Sequence, residues 1–380
     1  MDFSLTDAQR ALQQDLRAFA AREVAPTAAA RDEDERFDPT IFRAIGAAGF
    51  AGLPFPGQYG GAGGDAVSSA LATEELSRVC AATGIMLSTH VSLVAWPVFR
   101  FGTDEQKRAF LAPLASGEKL GAYGLSEPDS GGDDAGIQTT AVRRGDDYLL
   151  QGAKVFSING GEADIYVVYA ATDPTQRSRG MTAFILEKGM PGLRFGKTER
   201  KMGVRSAVAA ELVFEDCVVP AANRLGAEGE GLKIALAALD GGRTGIAALA
   251  VGIAQGALEE ALAHARGRTH FNRPLLDFQT TQFKLADMQT EIEAARLLTR
   301  RAAWLEARAA PYTRASAMAK VMASDVAMRV TTEAVQILGG YGYMRDRPVE
   351  RMMRDAKITQ IYGGTNEVQR MVIARHVLAE

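Results

Sequence analysis

The apolar residues of this 380-residue chain change their spacing twice. Up to about residue 120, and again from about 226, they recur at helical intervals. Between 121 and 225 they come in short runs, YLLQG, DIYVVYA, MTAFIL and AELVF, cut by Gly, Asp and Pro turns. A helix buries one face through a repeat of three to four residues, whereas short runs bounded by turn formers are strand-like. The pattern predicts an α+β chain with an N-terminal helical domain (1–120), a central β-barrel-like domain (121–225) and a C-terminal four-helix bundle (226–380). Thr6 with Gln9, and Thr103 with Gln106, have capping-box spacing, and Asp38-Pro39 reads as an N-cap with proline in the first turn. Leu12, Leu16 and Phe19 then form one buried face. No internal repeat or low-complexity tract divides the three parts.

Hydrophobic residues make up 47% of the chain, enough for a substantial core, and a net charge of −3 provides no basic field for nucleic acid. Cys80 and Cys217 are the only cysteines and are far apart, so neither a disulfide framework nor a cysteine metal site is expected. The opening MDFSLTDAQR has no basic or apolar leader character, and no later apolar run reads as a membrane span. A soluble, cytoplasmic protein without a membrane partner is expected.

Several local patterns fail on context. Gly61-Ala-Gly63-Gly64-Asp-Ala66 has dinucleotide-fingerprint spacing, but it falls between two predicted helices rather than in a βαβ unit. Gly192–Thr198 is one residue short of a phosphate loop. The histidines His90, His264, His270 and His376 form no H-E-x-x-H pair, and no G-x-S-x-G elbow exists, so neither a metal site nor acyl-serine chemistry is expected.

Four longer segments carry more. GAYGLSEPDSGGDDAGIQTTA (121–141), KVFSINGGEADIYVV (154–168), RTHFNRPLLDFQ (268–279) and VQILGGYGYMRDRPVERMMRDAKITQIYGGTNEVQR (335–370) resemble, in order, the signatures of the acyl-CoA dehydrogenase family. The resemblance implies FAD held between subunits of a homodimer or homotetramer, an acyl-CoA or carrier-bound acyl thioester as substrate, α,β-desaturation, and reoxidation by an electron-transfer flavoprotein. By position, Tyr123, Leu125, Ser126, Phe156 and Ile158 would meet the isoalloxazine, with Gly131 and Gly132 by the pyrophosphate. Arg268, Phe271, Gln279, Gln336 and Gly340 would hold the adenosine-diphosphate end in a neighbouring subunit. Thr365 and Glu367 would close the pocket, and Asp240, Arg243 and Gly364 would lie beside the thioester. Taken singly, each has a plainer reading: core aromatics, a turn serine, and an Asp240–Arg243 helix pair worth a few tenths of a kcal/mol.

The departures from the family concentrate near the cofactor. The usual IYEGT is Ile361-Tyr362-Gly363-Gly364-Thr365, so Gly363 stands where the family most often keeps its catalytic glutamate. The alternative seat, near LDGGR, is Gly242. A positioned base contributes about 10²–10⁴-fold in rate, so ordinary desaturation should be impaired. Asp240 and Tyr362 are then the candidate substitutes. Asp129-Ser130-Gly131-Gly132-Asp133 replaces Gly-x-Gly-Ser-Asp, and Ser157-Ile158-Asn159 replaces Ile-Thr-Asn. Three functions follow: an FAD-dependent desaturase with a non-standard or absent base, a non-dehydrogenating flavoenzyme performing desulfination or ring closure on an acyl thioester, or a non-catalytic subunit paired with a catalytic homologue.

Overall fold

A computed structural model describes residues 4–129 and 136–379. The N-terminal helices include α1 (Asp7–Phe19), α2 (Ala25–Glu33), α3 (Pro39–Ala47), α4 (Ala66–Ser77) and α5 (Ala81–Phe101), the last with a π-helical stretch at Thr89–Ala95. Both capping boxes form, and the Asp38 carboxylate accepts the Thr40 amide at the start of α3. Leu16 and Phe19 are buried, as the α1 spacing requires. The Gly61–Ala66 segment is a turn ahead of α4, capped by Asp65. A Cβ on Gly61 would lie 2.1 Å from the Phe55 carbonyl oxygen, so the glycine serves a close backbone approach.

The central strands are β1 (Gly121–Gly124), β2 (Thr140–Arg144), β3 (Asp147–Ile158), β4 (Ile165–Ala171), β5 (Met181–Glu187), β6 (Leu193–Thr198), β7 (Ala209–Pro220) and β8 (Arg224–Leu225). They form one eight-stranded sheet in the order β6-β7-β3-β2-β4-β5-β8, with β1 parallel to β4. Its joint is a single β2–β4 pair, Thr140 with Ala171, and among the described residues no pairing joins β6 to β8. All seven residues of β4 are buried, which explains why DIYVVYA reads as a continuous apolar run rather than an alternating one. His90 ties α5 to this sheet: its Nδ1 accepts the Gly121 amide and its Nε2 meets the Leu114 carbonyl, both at 3.0 Å. Burial pushes its imidazole down to about 4, so it stays neutral and structural.

Beyond the sheet come α6 (Gly231–Gly267), a small hairpin of β9 (Thr269–His270) and β10 (Arg273–Pro274), α7 (Gln279–Ala307), α8 (Thr313–Leu338), α9 (Val349–Ile358) and α10 (Asn366–Leu378). Helices α6, α7 and α8 pack against one another, and α10 lies on α8. Helix α6 crosses α4 closely enough that a Cβ on Gly252 would meet the Glu74 carbonyl oxygen at 2.2 Å. One expectation is corrected: α5 and α6 are long and apolar enough to span a membrane by composition, yet most of each is buried within the protein. They are core helices, apolar all round because neighbours cover them on several sides.

Candidate active site

The sequence-predicted residues fall into three groups. The first lines the open side of β1 and β3. Here Tyr123 is partly exposed and Leu125 buried, while Ser126 is exposed and its carbonyl accepts the Val155 amide. Between Lys154 and Ser157 the β3–β7 register slips, and Phe156 takes a φ of +57°. That bulge turns the Phe156 ring outward, where it is 65% exposed. Ile158 packs part-buried against the core. Ser157 beside it is 2% exposed, and among the described residues its buried Oγ has no hydrogen-bond partner.

Beneath this surface lies a buried ion pair, Lys154 Nζ to Glu127 Oε1 at 2.5 Å. Glu127 also accepts the Gln138 and Thr139 amides, which anchors both ends of the 126–139 loop to β3. Gly131 and Gly132 lie outside the described residues. Asp129 is exposed, so water screens the charge it adds.

The second group sits on the β9–β10 hairpin and the adjoining end of α8. Arg268, Gln279, Gln336 and Gly340 are exposed, and Phe271 is 90% exposed at a φ of +50°. Arg268 stacks over Tyr341, 5.6 Å from the ring centre, and Arg268, Phe271, Gln336 and Gly340 line one groove with Phe278 and Met344, whereas Gln279 lies outside its lining. Phe156 and Phe271, exposed like Phe283, Trp304, Tyr341 and Tyr343, offer two flat apolar platforms beside the sequence-predicted cofactor residues. That fits a planar, amphipathic cofactor.

The third group is the turn between α9 and α10. Gly363 and Gly364 have φ values of +65° and +87°, a conformation that favours glycine. Their carbonyls are pinned from three helices. Arg243 on α6 donates through Nε to Gly363 O at 3.2 Å, Gln369 on α10 donates to both carbonyls, and Lys320 on α8 donates to Gly364 O at 3.0 Å. Lys320 donates also to Asn366 Oδ1 at 2.8 Å, and Asn366 is held in turn by Ser324 and Asp325. Thr365 caps α10, and Glu367 is exposed in its first turn.

Sequence reasoning missed Lys320, Gln369 and Ile246. A Cβ on Gly363 would meet Ile246 Cδ1 at 2.4 Å, so an isoleucine methyl lies where a side chain at 363 would begin. At the alternative seat, a Cβ on Gly242 would meet Leu93 at 2.8 Å. Asp240 is tied to Arg243 Nη1 at 2.8 Å and to the Thr313 hydroxyl at 2.6 Å, and burial pushes the Tyr362 phenol far above its ordinary range. Among the described residues no cluster of metal-ligating side chains occurs.

Comparison with known proteins covers the whole chain. Family models described as the acyl-CoA dehydrogenase N-terminal, middle and C-terminal domains match residues 6–118, 122–217 and 229–378. The short-chain-specific acyl-CoA dehydrogenase of Clostridium acetobutylicum is 52% identical, over 98% of this chain and 99% of that one. The structure of butyryl-CoA dehydrogenase from Megasphaera elsdenii superposes with a TM-score of 0.98 at 51% identity, covering all of both chains. A chain solved in work on the electron transferring flavoprotein of Acidaminococcus fermentans and flavin-based electron bifurcation reaches 0.99 at 54%, again over both whole chains.

Proposed function

This chain belongs to the acyl-CoA dehydrogenase family and is an FAD-dependent oxidoreductase acting on acyl-CoA, and we propose that it takes short-chain acyl thioesters without a protein carboxylate as α-base. The observation that carries the reading is the turn at Gly363. It is pinned by Arg243, Lys320 and Gln369, yet it presents no acid to a substrate. The short-chain preference rests on relatives named for it at about half identity.

In this reading Tyr123, Leu125, Ser126, Phe156 and Ile158 hold the isoalloxazine. Arg268, Phe271, Gln279, Gln336 and Gly340 hold the adenosine end for a neighbouring subunit of a homotetramer. FAD, when bound, supplies the hydride acceptor. The chain's own part is positional: Arg243 fixes the turn against α6 and orients the thioester, and the apolar Leu93 and Ile246 keep water from the reacting carbons. Segments 1–120, 121–225 and 226–380 serve as the three structural units. An electron-transfer flavoprotein in the cytoplasm would be the partner that reoxidises the FAD held by these residues, a reading supported by the Acidaminococcus fermentans neighbour.

Anaerobic addition of butyryl-CoA to the purified holoprotein, followed by flavin absorbance, tests this. Tight binding with slow bleaching is expected. A colourless chain that gains flavin only beside a homologue would replace the reading with the non-catalytic subunit. Oxidised flavin beside a thioester of altered mass would replace it with the non-dehydrogenating enzyme.

A further inference from the structure

We infer that the substrate carries its own electron source: an acyl thioester bearing a carboxylate on Cα, which this chain decarboxylates in place of removing an α-proton. The inference rests on the base-free reading above. Three observations carry it. Both seats for a base hold glycine, and Asp240, the candidate substitute on α6, is occupied by Arg243 and Thr313. Arg243, only 5% exposed, uses Nε on Gly363 O and Nη1 on Asp240, while among the described residues its Nη2 has no hydrogen-bond partner. Lys320, wholly buried below the same turn, has only a carbonyl and an amide oxygen as acceptors. Asp240 offsets Arg243, and Asp325 and Glu367 lie near Lys320, so the group left open to an anion is the Nη2 of Arg243. A buried cation of this kind favours an anionic group beside it.

The bond changes balance without a base. The Cα–carboxylate bond breaks, CO₂ departs, and the bonding pair stays on Cα as the thioester enolate. Negative charge moves from the carboxylate to the enolate within the same cationic surroundings, so Arg243 keeps a partner throughout. Loss of the β-hydride to the oxidised cofactor, the acceptor the family's established activity already uses, then gives the α,β-unsaturated thioester. With no acceptor, a solvent proton returns the saturated one.

The test compares butyryl-CoA with the same thioester carrying an α-carboxylate, ethylmalonyl-CoA labelled with ¹³C in that carboxylate, on the FAD-loaded enzyme. Labelled CO₂ should appear at least about 100-fold faster than butyryl-CoA bleaches the flavin, the low end of what a missing base costs. Calorimetric binding of ethylmalonyl-CoA should be about 10-fold tighter than that of butyryl-CoA, and Arg243→Gln should abolish the difference. Should Arg243→Gln not fold, Gly363→Glu provides the second arm. It should invert the preference, speeding butyryl-CoA and slowing CO₂ release, because a glutamate carboxylate competes for the same place. CO₂ release without bleaching also supports the inference. Bound ethylmalonyl-CoA that releases no CO₂, while butyryl-CoA still bleaches the flavin slowly, overturns it and leaves the base-free reading standing. Failure of both thioesters to bind overturns both.

Discussion

Helix α6 shows two chemically opposite faces one residue apart. Gly242, Arg243 and Ile246 look toward Leu93 and the Gly363 turn, where the buried charges of Arg243 and Lys320 are positive and every one meets an oxygen. Gly241, Thr244 and Gly245 look toward a cavity of about 230 Å³ lined also by Ser69, Ser88, Trp96 and Glu306. There the charge is acidic, and among the described residues the Glu306 carboxyl has no hydrogen-bond partner although a Cβ on Gly241 would lie only 3.2 Å from it. Burial pushes Glu306 up to about 7, with Asp240 adding repulsion, and pushes Lys320 down to about 7, with Arg243 adding repulsion. The lesson is that burial brings opposite charges to the same protonation range. Only the face whose charges are hydrogen-bonded can keep them and present them to a substrate.

The strongest challenge to this contrast is to give the turn an acid. Gly363→Glu, paired with Ile246→Val to relieve the 2.4 Å contact, should raise flavin reduction by butyryl-CoA about 10²–10⁴-fold in anaerobic stopped flow. The left-handed backbone at 363 opposes the change by roughly 1–3 kcal/mol. No gain with flavin bound would move the defect to Ile158.

Next in size is Arg243→Gln, which strands Asp240 in a buried position. Chemical denaturation should show a loss of about 3–5 kcal/mol, partly recovered by adding Asp240→Asn. An unchanged midpoint would mean the pair is effectively solvated.

Lys320→Met should alter the pH dependence of stability. The folded state holds Lys320 well below its ordinary value, so folding costs most where it must stay charged, and stability rises as pH climbs from about 7 toward the usual lysine range. Arg243 and Arg370 press it the same way, whereas Asp325 and Glu367 oppose them. Melting profiles of the variant should lose this rise; a slope equal to that of the parent would show that Lys320 is not its source.

The smallest effect belongs to the other face. Glu306 is raised in the fold, so its contribution is complete below the ordinary carboxylate range and is lost as pH rises through about 7. Glu306→Gln should therefore melt higher than the parent at pH 8 and equally at pH 4. A gain of the same size at both would indicate packing rather than charge.

Much of this molecule is written in local sequence. The capping boxes at Thr6 and Thr103, the Asp38 cap and the buried run of β4 depend on residues within a few positions of one another, and each forms as its spacing requires. The glycine at 363 is equally plain, because a missing side chain needs no coordinates. The contacts that give that glycine meaning are long-range. Lys320 meets Gly364 across 44 residues, Arg243 meets Gly363 across 120, and Ile246 and Glu306 take opposite sides of one helix.

The sequence alone determined the α, β, α order, the family and the glycine at 363, since period, motif and residue identity are properties of the chain. Tertiary structure decided that Arg243, Lys320 and Gln369 pin the turn, that Asp240 is tied to Arg243 and Thr313, and that an isoleucine methyl adjoins position 363. Burial and hydrogen bonding between distant helices set those properties, and neither exists until the helices pack.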